Sequence, residues 1–105
     1  MARVVMEQSF AQPMSDEALS EFPKRLDPCL EIREGTWARS YLSNDRRRMF
    51  CEFEAPDAEA VRDALRSAGI PFDRVWLAQV FDAGDYPDLA EKLRQVREKL
   101  APRSR

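Results

Sequence analysis

TWARSYLSNDRRRMFCEFEAP, residues 36–56, reads as two strands joined by a polar turn and followed by a proline that opens a helix. Trp37, Arg39 and Tyr41 alternate, which in a regular strand places all three on one face. Asn44-Asp45 supplies the turn. Beyond it Met49, Cys51 and Phe53 alternate with Phe50, Glu52 and Glu54. Large residues on both phases predict a strand covered on both sides.

Upstream, residues 3–10 predict a first strand, with Val4, Met6 and Phe10 on one face and Val5, Glu7 and Ser9 on the other. Ser15 is a good N-cap for a helix carrying Leu19, Phe22 and Leu26. Pro23 is expected to kink or shorten that helix, and Asp27-Pro28 to end it. A long second strand then begins at Leu30, with a bulge near Gly35. Downstream, Asp57 caps a second helix with a core stripe of Val61, Ala64, Leu65 and Ala68, and Gly69 and Pro71 stop it. Residues 74–81 predict a fourth strand, and Ala83-Gly84 a linker. A last helix over 87–100 carries a seam of Leu89, Leu93, Val96 and Leu100, and the tail APRSR is expected to fray.

The order β-α-β-β-α-β with a C-terminal helix predicts an α+β, ferredoxin-like domain over residues 1–84. The helix and tail of 85–105 are expected to pack on the same domain. Two helices cover only one face of such a sheet, and the strands here carry large residues on both phases. A second copy covering the other face, a homodimer of the dimeric α+β-barrel type, is the expected solution.

Composition narrows the functional classes. A net charge of −2 gives no basic field for nucleic acid. No apolar run approaches the ~20 residues of a membrane span, and the N-terminal stretch MARVVMEQSF lacks the pattern of a secretory signal. Cys29 and Cys51, without CxxC spacing, read as reduced thiols of a cytoplasmic protein. The chain contains no histidine, which removes the commonest general base and the commonest transition-metal ligand together.

Four segments carry a family resemblance: TWARSY at 36–41, FCEFEAP at 50–56, EAVR at 59–62 and GIPFDRV at 69–75. In this order and spacing they resemble a small bacterial ferredoxin-like family of unknown function that includes a nickel-binding protein. The resemblance implies a dimeric ferredoxin-like fold and a small binding protein with nickel as an implied ligand. The family commonly has histidine in W-x-H-S-Y, where this chain has Arg39. A guanidinium stays protonated and has no lone pair to offer a metal.

The candidate ligand-binding residues are Trp37, Arg39, Tyr41, Glu7 and Glu52, and the candidate metal ligand is Cys51. Glu7 and Glu52 sit on strands that allow them to meet as a carboxylate pair, or to pair with Arg39 instead. Cys51 is a soft ligand or a small buried hydrophobe. Trp37, Tyr41 and Trp76 line a small-molecule pocket or form core. Arg46-Arg47-Arg48 binds phosphate or is a solvated turn. A binding module for a small molecule or metal ion is favoured; the alternatives are a dimeric α+β-barrel enzyme acting on a small apolar substrate and a structural or interaction protein.

Overall fold

The computed structural model describes residues 1–85 and 87–100. Its elements are β1 (Ala2–Ser9), α1 (Asp16–Ile32), β2 (Thr36–Leu42), β3 (Arg48–Ala55), α2 (Ala58–Ser67), β4 (Arg74–Ala78), a short 3-10 turn (Ala83–Asp85) and α3 (Pro87–Leu100). The strands form one antiparallel sheet in the order β2-β3-β1-β4. That is the α+β, ferredoxin-like arrangement, with the two strands rich in apolar residues at its centre. The tail 101–105, expected to fray, lies outside the described residues, as does the side chain of Leu89.

The core follows from register. Val4 pairs with Phe53, and Met6 with both Cys51 and Val75. Directly opposed residues of antiparallel strands share a face, so these five side chains form one apolar layer. α1 lays Phe22, Leu26 and Leu30 against it, and α2 adds Val61, Ala64 and Leu65. Ala64 is fully buried, and its small side chain lets the helix lie close to the strands. Both helices are capped as the sequence indicates: Ser15 Oγ accepts from the Ala18 N–H at 3.1 Å, and Asp57 from the Ala60 N–H at 2.8 Å. Gly69 ends α2 at φ +69°, where a side chain would be strained.

The first helix departs from its sequence reading. α1 continues through both Pro23 and Pro28 to Ile32, and the second strand begins only at Thr36. An interior proline costs about 3 kcal/mol. Full burial of Phe22, Leu26 and Leu30 contributes about 1.5–3 kcal/mol each, and a helix sets them along one side. Continuing the helix past Pro28 is what brings Leu30 onto the sheet. The helix then ends on Glu34 at φ +60°, with the Gly35 N–H donating back to Leu30 O at 2.8 Å. A Cβ at Gly35 would stand 3.1 Å from the Leu30 side chain. The glycine therefore serves close approach at the helix end and not a bulge.

The bulge lies three residues later. Trp37 pairs with Phe53 but Arg39 pairs with Glu52, which leaves Ala38 as the extra residue. It reverses the strand's phase, so Trp37 faces the helix side while Arg39 and Tyr41 face the open side. The expectation that all three share a face is thereby corrected.

β4 is also shorter than expected, ending at Ala78. Residues 79–83 then leave the ladder and run along the open side. Among the described residues, α3 touches only the 3-10 turn and reaches neither the sheet nor the other helices. The Cα radius of gyration, 17.3 Å, exceeds the ~13 Å typical of a compact chain of this length, because α3 projects. Its seam, expected to pack on the domain, stands open: Leu93 and Val96 are half-exposed and Leu100 is largely so.

Candidate functional site

The open face of the sheet holds most of the polar chemistry. Register brings Val5 between Glu52 on β3 and Trp76 on β4. Tyr41 and Trp76 remain 55% and 41% exposed there. With Val5 they floor an open cleft of about 690 Å³. Val80 and Phe81, from the segment after β4, build one wall. Arg3, Arg39, Glu52 and Asp82 supply its charged lining.

The charges of this face are interlocked. Arg3 Nη1 donates to Glu52 at 2.6 Å and its Nε to Glu54 at 2.8 Å. The Glu54 hydrogen bond raises the Arg3 pKa above its already high value. Arg39 Nε lies 3.6 Å from the same Glu52 carboxylate while its side chain stays 62% exposed. Glu7 accepts from Trp76 Nε1 at 2.8 Å, with Arg74 4.0 Å away. Glu7 and Glu52 thus share the face, yet each is held by its own donor. They do not meet as a carboxylate pair. Arg3 was not among the sequence candidates, although its alternation with Val5 and Glu7 put it on this face.

Trp37 and Cys51 lie on the opposite side. Trp37 Nε1 donates to Ser40 Oγ at 2.9 Å, and Ser40 Oγ approaches Cys51 Sγ at 2.9 Å. Cys51 is fully buried. Burial pushes its thiol pKa from 9.0 up to about 11, against the lowering effect of the Ser40 hydroxyl. Trp37, 42% exposed, instead lines a groove of about 390 Å³ between α1 and β2. The six candidates therefore divide: Arg39, Tyr41, Glu7 and Glu52 on the open face, Trp37 and Cys51 behind it.

A raised thiol pKa has a definite pH signature. The unfolded chain loses this proton near pH 9 while the folded chain keeps it to about 11. The stabilisation is fully present below pH 9 and is lost as pH rises to 11, an effect of about 3 kcal/mol. Urea midpoints should fall over that window and fall less in Cys51→Ala. At pH 8 a thiol reagent should label Cys29, which is partly exposed, well before Cys51. Equal labelling rates would show that Cys51 is accessible.

The arginine run is structural. Arg46 donates to Met14 O and pairs with Asp16 at 2.8 Å, and Arg47 donates to Ala11 O at 2.7 Å. These bonds tie the β2–β3 turn to the β1–α1 connection. Ser43 donates to Asp45 at 2.6 Å, the main cause of that carboxyl's lowered pKa, and fixes the turn's own shape.

Nickel, implied by the resemblance, finds no fitting donor set. Among the described residues no three Cys, Asp or Glu side chains are grouped to hold a metal ion. The carboxylates of the open face are already matched by Arg3, Arg39 and Arg74, and the sheet separates them from the buried Cys51. Cys51 stands apart from those carboxylates, and among the described residues a thiolate there would have neither partner ligands nor solvent.

Comparison with known proteins agrees with the fold. Residues 5–77 match the family model described as "Nickel responsive protein SCO4226-like". The crystal structure of SCO4226 from Streptomyces coelicolor A3(2) superposes with a TM-score of 0.70 at 15% sequence identity, covering 77% of this chain and 100% of that one. No curated protein matches the chain. The family match runs from within β1 to within β4 and stops short of α3: the chain belongs to the SCO4226-like family of nickel-responsive proteins.

Proposed function

We propose that the protein is a small binding protein whose ligand is an aromatic or aliphatic anion held in the open-face cleft, and that it works as a homodimer closed over that face. The observation that carries this reading is the cleft itself. Its volume, about 690 Å³, suits a small organic ligand. Tyr41 and Trp76 offer exposed aromatic faces, and Arg39 extends into solvent with only a loose contact to Glu52. A guanidinium in that position favours a carboxylate or sulfonate over a cation. Exposed Tyr41, Trp76 and Phe81 on one side of a single sheet also favour cover by a second copy. Free Cys29 and Cys51 suit the cytoplasm.

The test uses Trp37→Phe, which leaves Trp76 as the sole tryptophan. Anilinonaphthalene sulfonate should quench Trp76 emission saturably, and Arg39→Ala should weaken that binding about tenfold. Nickel chloride should leave the signal unchanged. Quenching indifferent to Arg39→Ala would remove the anion reading, and tight stoichiometric nickel binding would replace it with a metal site. Sedimentation should give twice the 12.2 kDa chain mass, and a monomer would defeat the dimer.

A further inference from the structure

We infer that α3 is an exchanged arm, and that it docks in the groove between α1 and β2 of a second copy. This goes beyond the ligand reading, since the arm lies outside residues 5–77, which match the family.

α3 is built to be covered. A 14-residue helix is marginal alone in water, and its apolar stripe of Leu93, Val96 and Leu100 has no cover among the described residues. At 100° per residue, Lys92 and Lys99 flank that stripe on one side and Arg97 on the other, while Glu91 and Glu98 fall on the back. Arg94 pairs with Glu91 on that back face. Lys92, Arg97 and Lys99 make no ion pair among the described residues. Two α3 helices paired along their stripes would bring these cations together, so self-pairing of the arms is opposed.

The groove beside Trp37 has the complementary character. Half-exposed Trp37 supplies its apolar surface over the buried Leu30, and among the described residues its charged lining is Asp27 and Glu31, one turn apart on α1. Neither carboxylate has an ion pair among the described residues. The same polarity holds for the whole molecule: residues 1–86 carry 11 Lys and Arg against 16 Asp and Glu, and residues 87–105 carry 6 against 3. An acidic body thus attracts a basic arm.

Connectivity selects the second copy over the arm's own body. α3 follows β4, and the groove lies beside β2, the opposite edge of the sheet. The segment leading to α3 is held on the open face, where Val80 and Phe81 wall the cleft. The groove opens on the helix side. An arm reaching its own groove would have to abandon that wall and pass round the sheet, whereas a two-fold exchange asks neither.

Disulfide trapping in the full chain tests this. Two variants, both carrying Cys29→Ser, are made: one with Glu31→Cys in the groove, the other with Val96→Cys in the arm. Mild oxidation of their mixture should give a covalent dimer enriched well above that of either variant alone. A chain carrying both substitutions should form dimers and not close on itself. Arg97→Glu should slow trapping about threefold, and added Asp27→Lys should restore it. Intramolecular closure, no cross-link, or a rate indifferent to both charge changes would overturn the exchange. Trapping reads the groove and the arm, whereas the quenching assay reads the cleft, so the two can fail independently.

Discussion

Phe53→Ala is expected to cost about 3–5 kcal/mol of folding stability, the largest effect of any single substitution considered. Phe53 is fully buried on β3, a central strand, and is the largest of the wholly buried side chains. It faces Val4 on one neighbouring strand and Trp37 on the other, beneath both helices. Truncation removes the ring's burial and leaves a void that a rigid layer on one side and strand backbone on the other cannot fill. Against a total of about 5–15 kcal/mol for a domain of this kind, the loss consumes much of the margin. Urea unfolding followed by circular dichroism measures it. A loss near 1 kcal/mol would mean that the core around β3 relaxes freely.

Arg3→Met is the second. It should destabilise by about 2 kcal/mol, less than a fully buried ion pair because Arg3 and Glu52 keep about a fifth of their side-chain surface in water. Arg3 serves Glu52 and Glu54 together, so its loss leaves two carboxylates facing each other across β3's open side without a shared cation. Glu52→Gln added to Arg3→Met should return part of the loss. Strict additivity of the two changes would show that the bond between them contributes nothing.

The fold was largely legible because its signals were local. Ser15, Asp57 and Gly69 mark helix ends by backbone chemistry that needs no partner, and the alternation from Met49 to Phe53 survives in the sheet unchanged. The errors came where tertiary burial overrode local preference. Pro23 and Pro28 argue against a helix that the burial of Phe22, Leu26 and Leu30 nevertheless maintains. The candidate site was half legible for a related reason. Glu7, Arg39, Tyr41 and Glu52 do share a face, but counting by twos failed at Ala38, whose extra step no residue type announces. Arg3 is in phase with Val5 and Glu7, but a single charge beside an apolar strand gives no sign of the two carboxylates it meets across the sheet. Val80 and Phe81 read as strand, since apolar residues following a strand give no sign that the ladder has stopped.

The extra residue at Ala38 also bears on how the molecule behaves when concentrated. β2 is an outer strand, and its unpaired N–H and C=O groups would otherwise offer a seven-residue template for another chain to extend the sheet. The kink breaks that template near its start, and the opposite margin, β4, spans only five residues. Neither margin presents a long flat ladder, so fibrillar growth by strand addition is hindered at both ends of the sheet. Deleting Ala38 would straighten the outer strand, and edge-to-edge aggregation is the failure to which that shortened chain would be exposed.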